Sequence, residues 1–312
     1  MKTLFLAGIF LSMVFNCSAQ RNYRAGGTAV PAAASAVGYT THTFGADSNF
    51  STSTVDMGLT YTSGFQWYMY NFFGSSPSSA ITLNLDGSAI ITASNGLVSA
   101  GKVSGSPYFK GTVFGCGGYL TAEYAFDPNF QFAAGQTHSF PAWWVMSSEY
   151  LTESGILADQ WVGQATGYQH FAELDMFEWD LPYPYTYGIA MHDWWGIPGT
   201  TCTGWCLFNY GGNAANPKKT DYTLYHRYAA LWVPATSSTD GYVKWFFDDV
   251  LMGTLSWAQF TGQAPPPSSS TPWRFGVIDQ QHMVLILSGG NSPMTVRSVD
   301  VWQGAGACNL TN

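Results

Sequence analysis

The chain has 312 residues, a formal net charge of −8 and only 10% charged residues against 17% aromatic ones. An acidic balance, with no Lys/Arg cluster larger than Lys218-Lys219, excludes the electrostatic footprint of a nucleic-acid or anionic-membrane binder. Neutral or weakly charged ligands suit such a surface better.

Lys2, the apolar run from Leu4 to Phe15 and the small residues Ser18 and Ala19 read as a secretory signal peptide over residues 1–19, cut before Gln20. The run is too short to span a bilayer and no later apolar run of about 18 residues follows, so a secreted chain with no membrane association is expected. Residues 20–41, rich in Ala, Gly and Thr, are expected to form a flexible N-terminal arm, and 42–312 one domain. Within it hydrophobicity comes in short alternating pieces broken by Gly, Ser, Asn and Pro: Ala80 to Leu85, Ala89 to Thr92, Tyr119 to Phe126, Tyr242 to Phe247, Phe275 to Asp279, Met283 to Leu287 and Val296 to Trp302. These are strand signals. A short helix is expected within 147–162. The stretch Pro265 to Ser270 has a linker's composition, but the about 40 residues after it are too few for a separate domain, so it is taken as a loop. The fold class is all-β, as a two-sheet sandwich or a barrel.

Cys17 leaves with the signal, and Cys116, Cys202, Cys206 and Cys308 remain. An even number in an exported chain favours two disulfides. Three connectivities are open; Cys202 with Cys206 and Cys116 with Cys308 are the pairs expected. Zinc held by Cys202, Cys206 and His192 is the competing use, and export disfavours it, so no metal site is assigned.

Glu173-Leu174-Asp175-Met176-Phe177-Glu178 places three carboxylates in one aromatic, apolar segment. Buried there, they cost free energy unless they have partners or a task. In an extended strand Glu173 and Asp175 share a face, while Glu178, five positions from Glu173, points the other way. A one-residue bulge at Met176 or Phe177 resets the parity and gathers all three acids on one face. Two carboxyl groups about 5–5.5 Å apart perform retaining glycoside hydrolysis, one ionised as nucleophile and one protonated as acid. Glu173 is assigned as nucleophile, Glu178 as general acid/base and Asp175 as the neighbour that tunes them. Thirteen Trp and eighteen Tyr exceed what a core requires, and sugar rings stack on aromatic planes. Trp179, Trp194 and Trp195 lie nearest the acidic strand in sequence and are candidate substrate-binding residues. His192 follows by a turn and is expected to hydrogen-bond Glu178 or a substrate hydroxyl. No Gly-x-Ser-x-Gly elbow, phosphate loop or His-Glu-x-x-His helix is present.

The acidic segment resembles the Glu-x-Asp-x-x-Glu motif of glycoside hydrolase family 16, the secreted β-glucanase, laminarinase, agarase and carrageenase group. Gly118-Tyr119-Leu120-Thr121-Ala122-Glu123 is similar to that family's Gly-aromatic-x-Glu-Ala-Arg strand, and Phe140-Pro141-Ala142-Trp143-Trp144 to its Trp-Pro-Ala-aromatic-Trp segment. Tyr225-His226-Arg227-Tyr228 through Trp232, then Val243 to Asp248, resemble a further pair of strands, and Pro293 to Gln303 the closing one. The chain departs from the pattern where Thr121-Ala122-Glu123-Tyr124 lacks the Arg and where Asp249 replaces a Gly. The resemblance covers roughly residues 80–303. It implies a concanavalin A-like β-jelly roll with a concave cleft, and puts the nucleophile on Glu173, the assisting acid on Asp175, the acid/base on Glu178 and Trp144 beside the cleft. It further implies a secreted, endo-acting, retaining hydrolase of β-linked polysaccharide, β-1,3- or β-1,3-1,4-glucan first, needing no cofactor. A structural Ca²⁺ fits the resemblance but has no assigned ligands. A monomer is expected. Transglycosylation through the same intermediate and a non-catalytic lectin on the same fold are the alternatives.

Overall fold

The computed structural model describes residues 29–45, 50–70, 76–92, 95–102, 109–127, 141–151, 168–178, 186–204, 206–215, 220–262, 271–290 and 293–312. The expected signal peptide, residues 20–28 of the arm, Trp179 and the Pro265–Ser270 stretch lie outside them.

Two large sheets form an all-β sandwich of the jelly-roll kind. One runs, in order of adjacency, Val250–Trp257, Gly241–Phe247, His226–Val233, Gly118–Phe126, Met294–Gln303, Ala89–Ile91 and Ile81–Leu83, with Thr41–Phe44 added along Met294–Gln303. The other runs Cys206–Ala215, Tyr187–Gly196, Gln169–Glu178, Ala142–Ser147, Met283–Ser288, Gly96–Val98, Trp67–Tyr68 and Val55–Asp56. Pairing is antiparallel except between the last two strands. A small third sheet joins Leu310–Thr311, Phe109–Val113 and Ala100–Lys102.

Alternation sets which face goes inward. In Gly241–Phe247, Val243, Trp245 and Phe247 enter the core between the sheets, while Tyr242 and Phe246 pack on the opposite face. Trp143, Trp232 and Trp245 are each at most 1% exposed, and burying a large apolar side chain contributes about 1.5–3 kcal/mol. A second apolar cluster covers part of the outer face of the sheet that carries the acids. Trp144, Met146, Val284, Ile286, Val98 and Tyr68 form its floor, and Tyr61, Phe65, Phe109, Val113 and Leu310 pack on it.

Two expectations are corrected. Residues 29–41 are not a loose arm: Ala32–Ser35 is a short helix, Ala34 and Tyr39 pack on Tyr119, Leu231 and Trp302, and Tyr39 Oη donates to the Trp232 carbonyl at 3.1 Å. Small Ala side chains let this segment lie close against the sheet. Phe275 to Asp279 is not a strand but part of a 3₁₀ element, Arg274–Gln280. Phe275, Val277 and Ile278 are all buried, and the Asp279 carboxylate accepts from the Trp232 and Trp257 indoles and from the Ala235 amide at 2.7–2.9 Å. A short apolar run surrounded on all sides has no need of a strand's alternation. The expected helix appears as Ser148–Leu151, and the disulfides are Cys116–Cys308 and Cys202–Cys206, which removes both thiols of the competing zinc site.

Candidate active site

The acidic strand, Gln169–Glu178, contains the bulge that its parity requires. Against Ala142–Ser147, Trp144 pairs with Asp175 and Trp143 with Phe177, leaving Met176 unmatched. Against Tyr187–Gly196, Asp175 pairs with Ala190 and Glu178 with Gly188, three steps on one strand for two on the other. Leu174, Met176 and Phe177 all enter the core between the sheets. Consecutive inward residues at Met176 and Phe177 turn Glu178 back to the outer face shared by Phe171, Glu173 and Asp175. Phe177 stacks on Tyr187 and Phe126 with ring centroids 4.8 and 5.4 Å apart. Burying both apolar side chains, about 1.5–3 kcal/mol each, outweighs the lost ladder bond of about 1 kcal/mol.

Residues directly opposite one another share a face. Met146 and His192 therefore flank Glu173, Trp144 and Ala190 flank Asp175, and Ala142 and Gly188 flank Glu178. Trp194 Nε1 donates to Glu173 Oε2 at 2.7 Å. His192 Nε2 lies 2.9 Å from Asp175 Oδ2, and its Nδ1 lies 2.7 Å from Asn209 Oδ1. Both ring nitrogens thus face oxygen acceptors. Burial works to lower the His192 pKa, but Asp175, Glu173 and Asn209 outweigh it and push it up to about 10. Burial first and Asp175 second push Glu173 up to about 8, against His192 and the Trp194 N–H. Asp175 is fully buried, which raises its pKa against the pull of His192. Its Oδ1 has no hydrogen-bond partner among the described residues. Near neutrality the imidazolium balances one carboxylate, and the two acids titrate as a pair that shares a proton. Glu178 sits half-buried at the far end of the row.

Glu173, Asp175 and His192 bring ligating atoms within 4.8 Å of one another, so they are the described residues able to hold a metal. His192 as an imidazolium has no free lone pair, and an ion would first have to displace its proton.

The other expected residues divide. Trp194 is half-buried at the site. Trp144 lies beside Asp175 but is 7% exposed within the outer apolar cluster, its indole N–H 3.4 Å from Ser288 Oγ, so little of its ring is presented. His192 meets Asp175 and not Glu178, because the bulge sets it opposite Glu173. Trp195 is corrected: alternation along Tyr187–Gly196 puts it opposite His170, on the other face from Trp194. Three features were not anticipated. Asn209 orients His192, Leu207 stands opposite Trp194, and Tyr150 and Trp194 stack on either side of Phe171 at 4.2 and 6.1 Å. Alternation in Cys206 to Tyr210 puts Leu207 and Asn209 on one face, but only the strand register reveals what they face.

Beneath the site Asp193, fully buried between His192 and Trp194, accepts from Arg274 Nη1 at 3.0 Å and pairs with His170 Nε2 at 2.7 Å. Gln281 bridges to the His170 carbonyl and the Ala172 amide at 2.8 and 2.9 Å. This polar network holds the two central strands from their inner face.

No family model matches the chain, and no curated protein matches it. Similar solved structures include a GlcNAcα1-4Gal-releasing endo-β-galactosidase from Clostridium perfringens, 16% identical, with 85% of this chain and 62% of that one covered and a TM-score of 0.48. The chain thus spans less than two thirds of that protein's length. An endo-1,3-β-glucanase from Streptomyces sioyaensis is also 16% identical, with 87% and 97% covered and a TM-score of 0.49. A legume lectin-like domain from Entamoeba histolytica is 8% identical, with 79% and 90% covered and a TM-score of 0.39.

Proposed function

We propose that the chain is a secreted glycoside hydrolase that cleaves β-linked bonds of a neutral polysaccharide with retention, through a glycosyl-enzyme intermediate on Glu173. The bulge at Met176 supports it above all, since it aligns Glu173, Asp175 and Glu178 on one face. The shared proton supplies the charge states. With the proton on Asp175, the Trp194 N–H favours the anion on Glu173, which attacks the anomeric carbon as the glycosidic C–O bond breaks and Glu178 gives its proton to the leaving oxygen. Water then attacks the same carbon, Glu178 takes its proton, and Glu173 leaves as a carboxylate. His192 keeps this cluster of acids from repelling itself apart.

A neutral substrate is favoured by the site's charge. Three acids meet one imidazolium, and among the residues whose side chains are described the cationic ones lie elsewhere: Arg227, Lys244 and Arg297 on the opposite sheet, Lys110 on the small sheet, Arg274 on the inner face against Asp193. With protons on Asp175 and Glu178, the imidazolium and the Glu173 anion cancel, so sulfated or uronic glycans would find no net positive charge to pair with. β-1,3-glucan and mixed-linkage β-glucan are the substrates named first, on the sequence resemblance. A lectin has no use for a fully buried Asp175 beside a half-buried Glu173, with an oxygen left unpartnered among the described residues at a cost of about 1–3 kcal/mol of stability.

Reducing-end release from laminarin, lichenan, agarose, carrageenan and xyloglucan tests the assignment. Glu173→Ala and Glu178→Gln are expected to fold and to lose activity by about 10²–10⁴-fold, with NMR showing retained configuration in the wild-type product. Folded variants as fast as wild type, or an inverted product, would overturn it. Added oligosaccharide acceptor separates transglycosylation from hydrolysis.

A further inference from the structure

The surface around the acids is built differently on its two sides. Toward Met283–Ser288, the residues that continue the rows of Glu173 and Asp175 are Met146 and Val284, then Trp144, Ile286, Val98 and Tyr68. None of these is more than 7% exposed, and Tyr61, stacked on Tyr68 at 6.2 Å, lies over them with Phe65 and Tyr70. Toward the edge strand Cys206–Ala215, the rows continue differently. Glu173 is followed by His192 and an exposed Asn209, and Phe171 by a half-buried Trp194 and by Leu207, 40% exposed.

We infer that the saccharide on one side of the scissile bond lies over Trp194, Leu207 and Asn209, and that the opposite side holds no more than a short saccharide. The enzyme then releases short products from chain ends in place of the internal cleavage expected from the sequence. The chemistry of the open side suits an uncharged pyranose. Trp194 and Leu207 make an apolar row for the C–H face of the ring, and His192 and Asn209 a polar row for its hydroxyls. Strands lie about 4.8 Å apart, close to one sugar unit, so about two units fit between Glu173 and the sheet edge. Because the Trp194 N–H also holds Glu173, sugar stacked on that indole bears directly on the nucleophile's orientation.

This rests on the proposed hydrolase activity, and two measurements separate them. In the first, wild-type protein acts on laminarin while products are resolved by chromatography and viscosity is followed. One short product is expected to dominate from the earliest conversion, with little fall in viscosity; a random ladder with early loss of viscosity would overturn one-sided binding and leave the hydrolase standing. In the second, Glu178→Gln protein is titrated calorimetrically with β-1,3-gluco-oligosaccharides of two to six units. Affinity is expected to rise with length and then level off, and to fall about tenfold for the tetrasaccharide on adding Leu207→Asp or Asn209→Ala, with unchanged circular dichroism. Unchanged affinity in both variants, or no binding by the parent, overturns the inference. Binding of the expected pattern without wild-type turnover retains the surface and removes the hydrolase.

Discussion

Glu173, Asp175 and His192 share their protons, so each substitution among them moves the others. Asp175→Asn removes the second cause of the raised Glu173 pKa and the ion-pair partner of His192. The acidic limb of the kcat/KM profile is expected to move to lower pH, while kcat falls by about 10²-fold or more for want of the proton carrier. Trp194→Phe keeps the ring but removes the N–H that stabilises the Glu173 anion, and the same limb is expected to move to higher pH. A pH-rate series on the two variants checks both directions, and shifts of the same sign would refute the shared-proton arrangement. The acids were legible in the sequence because a chain so poor in charge has little other reason to place three together. Their partner was not. His192 lies on the right strand by simple order along the chain, but its choice of Asp175 over Glu178 depends on a register that one inserted residue shifts, and periodicity carries no such information. Trp195 failed for the same reason: nearness in sequence says nothing of which face a residue takes.

Among the elements, strands with clean alternation, such as Tyr119 to Phe126 and Tyr242 to Phe247, were readable from pattern alone. Phe275 to Asp279 was not, because a run buried on every side loses its period. The turn between Gly241–Phe247 and Val250–Trp257 shows a different local conflict. Asp248 and Asp249 both have positive φ, 47° and 69°, a conformation that costs most L-residues about 1–2 kcal/mol. Asp248 accepts from the Arg227 amide at 2.9 Å and pairs with His226 Nδ1 at 2.7 Å, whereas Asp249 has an exposed ion pair with Arg227, of a kind that contributes at most about 1 kcal/mol. Asp249→Gly is therefore expected to leave stability unchanged or raise it by up to about 1 kcal/mol. Asp248→Gly is expected to lower it by about 1–2 kcal/mol. Urea unfolding of the two variants distinguishes them, and equal losses would contradict this account of the turn.

For the whole molecule, burial raises Asp279 to about 6 and Glu173 to about 8, and His192 rises to about 10. Each binds its proton more tightly folded than unfolded. The stability this provides is complete below the unfolded values, near 4 for the acids and 6.5 for His, and is lost as pH rises through the folded ones. The melting temperature is expected to fall between pH 5 and pH 10, and Glu173→Gln to flatten the part below about pH 8; calorimetry across that range checks both, and a flat or rising wild-type profile would refute this linkage. The disulfides differ in reach: Cys116–Cys308 spans 192 residues and Cys202–Cys206 only 4. By loop-closure entropy the first contributes about 5 kcal/mol and the second about 2 kcal/mol. Replacing Cys116 and Cys308 by Ser should lower the unfolding midpoint far more than replacing the other pair.

Met176 is a residue that the acidic strand absorbs without passing it on. Because it and Phe177 both point inward, removing Met176 leaves Leu174 and Phe177 as the inward residues and Glu173, Asp175 and Glu178 at strict two-residue spacing. Strand length at this point can therefore change by one while the working face does not, so that a single-codon deletion, ordinarily ruinous in a central strand, is here expected to preserve activity at some cost in packing.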